Sequence, residues 1–253
     1  MTHDAPFSPS GSKAAAAFSG ASLPSPREDP PHHNHEYRQP ARVRVKICGL
    51  TSAADAEAAI HAGADALGFN TWSGSRRFLD LARAGDWIAG LPAFVTRVAL
   101  CVNAPLSTAS AFAALPFIDV VQLHGDEERD YCLQLAEVSG RPLIRAVRLE
   151  SFEQSAGFGQ WGTRHVLIDA AVAGEYGGTG ARLDLELAAR TVQHCRGLCL
   201  TLAGGLDPDN VAEAIRRVRP YAVDVASGVE SAPGRKDVSK MRAFVQAVAE
   251  ASR

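Results

Sequence analysis

Two side chains in this sequence stand where proton-transfer chemistry would want them. Cys48 closes the run RVRVKIC and is followed by Gly49 and a helix-opening Ser52-Ala-Ala-Asp55, while Asp169 closes the run HVLID. A thiol and a carboxyl at the ends of two strands can act as base and acid without a metal. A strand-end thiol can also be a nucleophile, but no histidine is placed so as to imply an activating partner. It can equally be a small core residue. At pH 7 an ordinary thiol is only about 3% ionised and an ordinary carboxyl roughly 0.1% protonated, so an acid–base pair needs surroundings that move both. Two features are expected to supply them: the apolar run Ala170, Ala171, Val172 and Ala173 beside the carboxyl, and the helix start after the thiol.

Other polar and glycine residues fall at matching places. Asn70, Asn103, Gln122 and His124 of QLHG, Arg145, the pair Gly204-Gly205 and the pair Ser227-Gly228 each follow or end an apolar run. Singly, each has an ordinary reading: a turn cap, a satisfied core histidine, a tight bend. Their coincidence points to one site. The late turns AGGLDPDNV and ASGVESAPGRKD say most, because glycine lets backbone N–H groups approach a phosphate and a helix start adds a favourable dipole. A helix is expected to begin near Pro208. The implied partner is a small phosphorylated ligand.

The elements that must position these groups alternate from Arg42 onward. Strands are expected at 43–47, 66–69, 97–102, 119–123, 142–147, 165–169, 198–203 and 221–226. Ala/Leu/Glu-rich helical segments lie between them, and a last helix runs from Val238 to about Ala249. The weakest helical pattern is SFEQSAGFGQW. In the first strand Val43, Val45 and Ile47 alternate with Arg42, Arg44 and Lys46. Most of the other strands are apolar without clean alternation, as parallel strands covered by helices should be. Eight such units predict an α/β protein with a single (β/α)8 TIM barrel, whose chemistry belongs at the carboxyl ends of the strands. An open doubly wound sheet fits less well, since no G-x-G-x-x-G follows the first strand.

The 253 residues, 46% of them hydrophobic and with net charge −2, suit one globular domain and give no reason to expect nucleic acid. No apolar run is long enough to span a bilayer. Residues 1–41 differ: rich in Pro, Ser, Ala and Gly, they read as a disordered low-complexity extension to a barrel domain at 42–253. His32, His33 and His35 in it read as a solvated polar tail rather than a metal site. Cys48, Cys101, Cys132, Cys195 and Cys199 include no CxxC pair, and Cys195 and Cys199 lack further zinc ligands nearby. The expectation is no metal, no cofactor, and a cytoplasmic, reducing location.

The segments VKICGLT, GADALGF, SRRF, RVALCVN, VVQLHGDE, LIDA with YGGTG, LAGGLDPDNV and AVDVASGVESAPGRKD, in that order, resemble phosphoribosylanthranilate isomerase over about four fifths of the chain. The resemblance implies a TIM barrel of tryptophan biosynthesis, acting as a monomer or weak homodimer. Its reaction would be an Amadori rearrangement of N-(5-phosphoribosyl)anthranilate. It implies Cys48 as general base, Asp169 as general acid and Arg77 on the anthranilate carboxylate, with Arg76 as the neighbour that could share that role. Gln122 and His124 would contact substrate, and Gly204, Gly205, Ser227 and Gly228 the phosphate. The chain departs from the family at Cys101, where an aromatic residue is usual, and in NTWSGSRRF, which lacks the usual proline. Another phosphate-binding barrel, such as an indole-glycerol-phosphate synthase-like lyase, would show lysine or glutamate at strand ends. A silent binding barrel would have lost the acid or the base.

Overall fold

The structure is a computed structural model that describes residues 42–170 and 184–253. The expected low-complexity extension, its three histidines, YGGTG and residues 171–173 lie outside these. Eight strands close a parallel barrel in chain order: β1 (Arg44–Cys48), β2 (Ala66–Asn70), β3 (Thr96–Cys101), β4 (Val120–Leu123), β5 (Leu143–Leu149), β6 (His165–Ala170), β7 (Cys199–Leu202) and β8 (Ala222–Val225). Pairing of β1 with β8 seals it, with Lys46 in register with Asp224. Each expected strand is present, with ends displaced by a residue or two.

The helices are α1 (Ala53–Ala62), α2 (Leu81–Ala89), α3 (Leu106–Ala114), α4 (Arg129–Ser139), α5 (Leu185–His194), α6 (Val211–Val218) and α7 (Val238–Ala251). Local chemistry sets their starts: the side chains of Ser52, Asp80, Asp184 and Asp237 each accept a hydrogen bond from a first-turn N–H, a cap worth about 1 kcal/mol. Val211, Ala214, Ile215 and Val218 form the buried stripe of α6. The weak pattern after β5 is a 3₁₀ helix, Phe152–Gln160; its two glycines and early serine do not favour a regular α-helix.

Two expectations change. The helix expected near Pro208 begins at Val211, because Asp207 turns the chain first, accepting from the N–H groups of Asp209 and Asn210. The loop expected after β8 has structure of its own: a 3₁₀ turn (Ser227–Val229), then antiparallel β9 (Glu230–Ala232) and β10 (Arg235–Lys236).

The core lies largely between barrel and helices. Val45, Ile47, Leu67 and Phe69 pack outward in one cluster with Ala56, Ile88 and Phe244. Burying each such large side chain stabilises the fold by about 1.5–3 kcal/mol. A smaller cluster of Ala146, Leu167 and Ala203 fills part of the barrel interior. Strand alternation therefore sends Lys46 and Cys48 inward, away from the helices.

Candidate active site

The thiol end of the site rests on β1 and β2. Cys48 is in register with Gly68, and it packs with Leu100 and Val102. A Cβ at Gly68 would stand 2.7 Å from Cys48 Sγ and 3.0 Å from Lys46 Nζ, so glycine is what lets both groups occupy the barrel axis. Lys46 Nζ donates to Asp224 Oδ1 at 2.8 Å, with both residues buried. The thiol differs from expectation. Burial pushes it above the ordinary thiol range, only partly countered by the Lys46 cation. The helix start is too distant to reverse this, since α1 is capped at Ser52.

The carboxyl end comes from β6, braced by β4. Asp169 Oδ1 accepts from the Ala170 N–H at 2.8 Å, and Oδ2 lies 3.2 Å from His124 Nε2. Behind the ring, Gln122 Nε2 is 2.8 Å from His124 Nδ1. An amide nitrogen can only donate, so Nδ1 accepts from Gln122 and Nε2 is the ring atom left facing Asp169. Gln122, expected among the substrate contacts, is fully buried and does not reach the cavity. It orients His124 instead. Asn103 and Arg145 are likewise structural: Arg145 donates to the Leu123 and Gly125 carbonyls and to Glu127, which also accepts from the Asn103 N–H. Together they tie the loops after β3 and β4 to strand β5.

Arg77 is held by its own loop. Asn70 Oδ1 accepts from the Trp72 N–H, Asn70 Nδ2 donates to Ser75 Oγ, and that oxygen accepts from the Arg77 N–H. The guanidinium then forks onto Glu230, with Nε and Nη2 at 2.7 and 2.9 Å from the two carboxylate oxygens. This pairing raises the arginine above its ordinary value. Glu230 also accepts from Lys236 Nζ at 3.0 Å. Burial works to raise Glu230, but the two cations outweigh it and hold its carboxyl below the ordinary range. A guanidinium has five N–H groups, so three remain to face a ligand. Arg76 is exposed, whereas Arg77 is partly buried beside Cys48.

The glycine turns interlock. Gly204 and Gly205 adopt φ of 91° and 62°, and Asn210 Nδ2 donates to the Gly205 carbonyl. Gly228 presses so closely on the Leu206 carbonyl that no side chain would fit. It does not itself line the cavity, whereas Ser227 does.

Among the described residues, a cavity of about 750 Å³ at the carboxyl ends of the strands is lined by Cys48, Arg77, His124, Asp169, Gly204, Gly205 and Ser227. Lys46, Glu230 and Lys236 carried no role in the sequence reading. Lys46 was hidden by the alternation of the first strand, although a charged residue two positions before the thiol shares its face.

A closed (β/α)8 barrel gathering a thiol, a carboxyl and two glycine turns at one rim has the architecture of a TIM-barrel enzyme. Residues 45–247 match the family model for N-(5'-phosphoribosyl)anthranilate (PRA) isomerase. An N-(5'-phosphoribosyl)anthranilate isomerase from Magnetococcus marinus is 45% identical over 209 residues, covering 83% of this chain and 96% of the relative. The crystal structure of phosphoribosyl anthranilate isomerase from Thermotoga maritima superposes with a TM-score of 0.74 at 34% identity, covering 82% of this chain and 99% of that one. A crystal structure of such an isomerase in complex with reduced 1-(o-carboxyphenylamino)-1-deoxyribulose 5-phosphate gives 0.71 at 34% identity, with the same coverage. The chain belongs to the phosphoribosylanthranilate isomerase family and is an isomerase of tryptophan biosynthesis. None of its helices among the described residues is long and apolar enough to cross a membrane.

Proposed function

We propose that the chain carries out its Amadori rearrangement with Asp169 as general acid and Cys48 as general base. The observation that carries this reading is that both groups line one cavity, on strands β6 and β1, with the phosphate turns beside them. Asp169 protonates the furanose ring oxygen of N-(5'-phosphoribosyl)anthranilate, and the ring opens to a Schiff base. The Cys48 thiolate removes the proton from C2 of the sugar, giving an enolamine that tautomerises to 1-(2-carboxyphenylamino)-1-deoxyribulose 5-phosphate. Protons move, one C–O bond opens and the redox change is internal to the sugar, so the reaction as written calls on no cofactor.

Binding divides among three groups. The three free N–H groups of Arg77 suit the anthranilate carboxylate, since a guanidinium fork matches carboxylate geometry. Backbone N–H groups of Gly204, Gly205 and Ser227 suit the phosphate, and Gly228 serves them by holding the two turns together. His124 keeps Asp169 in its rotamer and faces the sugar. All these groups come from one chain, which accords with a monomer or weak homodimer. The five thiols are free and buried, which accords with a reducing, cytoplasmic location.

Steady-state turnover of Cys48→Ser and Asp169→Asn, followed by loss of substrate anthranilate fluorescence, tests the assignment. A positioned acid or base contributes about 10²–10⁴-fold, so each variant should lose at least that in kcat while keeping affinity for a reduced product analogue. Near-normal kcat in Cys48→Ser would place the base elsewhere. Near-normal kcat in Asp169→Asn would make His124 the next group to test as acid.

A further inference from the structure

Beneath the thiol lies a buried ion pair that the proposed chemistry leaves unused. Lys46 and Asp224 are 5% and 7% exposed, in register across the β1–β8 seam that closes the barrel. A fold that needed only to fill this space would use apolar side chains, which are often as stabilising as a buried ion pair or more so. We propose that Lys46 is a positioning residue for the reaction: its ammonium, fixed by Asp224, is the built-in counter-charge of the Cys48 thiolate. This rests on Cys48 being the base.

The geometry is specific. Lys46 Nζ and Cys48 Sγ converge on the space above Gly68, at 3.0 and 2.7 Å from the point where a Cβ would stand. Lys46 and Cys48 sit two apart on one strand, so both project from the same face into the barrel. Asp224 takes a hydrogen bond from the ammonium at 2.8 Å and anchors it. Other charged groups also face the thiol. Lys236 from β10 and Arg77 from the loop after β2 share the single carboxylate of Glu230, which offsets one of their two charges and ties both down, while Asp169 and His124 line the same cavity as the carboxyl end. Of the three cations, Lys46 is the one on the thiol's own strand face, its Nζ converging with the sulfur on the space above Gly68. Consistent with this, burial is the main influence pushing the thiol up, Lys46 is the largest one pulling it down, and Asp224 opposes ionisation. No proton leaves the lysine in this scheme. Cys48 takes the C2 proton, and the ammonium stays charged throughout.

The two partners should therefore move the thiol in opposite directions, which a merely structural role would not do. Removing an opposite charge a few ångströms away moves a group by about 1–3 pH units. In Lys46→Met the acidic limb of kcat/KM should move to higher pH by at least about one unit, with at least about tenfold slower iodoacetamide alkylation of Cys48 at pH 7. In Asp224→Asn the limb should move to lower pH and alkylation should quicken. Alkylation is read by peptide mass on the full chain, and circular dichroism shows which variants fold. Shifts of the same sign, or no shift in a folded variant, would overturn the proposal. If Lys46→Met does not fold, Asp224→Asn decides alone, and an unmoved or upward limb refutes it. Alkylation reads the thiol whether or not it is catalytic. A near-normal Cys48→Ser enzyme would therefore sink the assignment of the base, and an unresponsive thiol would sink the role of Lys46.

Discussion

Replacing Gly68 with alanine places one methyl group where the thiol, the ammonium and the β1 backbone meet. The added carbon would lie 2.7 Å from Cys48 Sγ and 3.0 Å from both Cys48 Cα and Lys46 Nζ. Ordinary contact between such atoms is about 3.5–4.0 Å, so each must yield by roughly 0.5–1 Å. The sulfur can swing about one bond, but Cys48 Cα belongs to a strand paired to Gly68 and its retreat opens the β1–β2 seam. Overpacking of this kind costs about 1–3 kcal/mol. Removing a mid-strand glycine returns about 0.5–1 kcal/mol. The net loss, up to about 2.5 kcal/mol, corresponds to a Tm lower by up to roughly 10 °C for a chain of this size. Displacing the thiol by about 1 Å should cost on the order of 10²-fold in kcat. Gly157→Ala is the control, because a Cβ there meets nothing within 4 Å; it should keep full turnover and melt at or slightly above wild type. Thermal melts and turnover of the two variants make the comparison. A Gly68→Ala protein with wild-type Tm and kcat would refute the claim that this glycine makes room for the thiol and the ammonium.

Arg77→Ala should lower kcat/KM by about 1.5–3 kcal/mol, chiefly through KM, as expected for loss of hydrogen bonds to a charged group. Arg76→Ala should do little, and the reverse outcome would shift the carboxylate site by one residue. Glu230 ionises below its ordinary range, so its stabilisation is fully present above the unfolded value of about 4.3 and is lost as pH falls through the lower folded value. The Tm difference between wild type and Glu230→Gln should therefore be constant from pH 7 to about pH 5 and shrink in stronger acid. A gap that widened on acidification would contradict the pairing with Arg77 and Lys236. A protein beginning at Pro40 should keep turnover and Tm, given the composition of the segment removed; a loss of activity beyond about tenfold would show that the segment shapes the site.

Much of the architecture was legible in residue order. The eight apolar runs mark the eight strands because a parallel strand covered by helices is apolar over its length, and Ser52 marks the start of the first helix. The rim was legible for the same reason: polar residues that end successive strands gather at one end of a closed barrel. That rule alone put Cys48, Asp169, His124, Gly204, Gly205 and Ser227 at one rim, where they line one cavity. Arg77 was found only through family likeness, since nothing in SRRF by itself separates it from Arg76.

The faces and partners of these residues were decided by tertiary structure. Lys46 alternates with Val45 and Ile47 and reads locally as the wet side of a half-buried strand. In the barrel both faces are covered, and the cation is stable inside only because Asp224, 178 residues later, closes the seam opposite it. Gln122 ends a strand like the other rim residues, yet the ring of His124 stands between it and the cavity. Glu230 and Arg77 are 153 residues apart and meet because β9 folds back over the loop after β2. Alternation and turn chemistry are local, so the order of residues sets them. The sign and strength of a buried charge depend on what closes against it, and chain closure brings those groups together from opposite ends of the sequence.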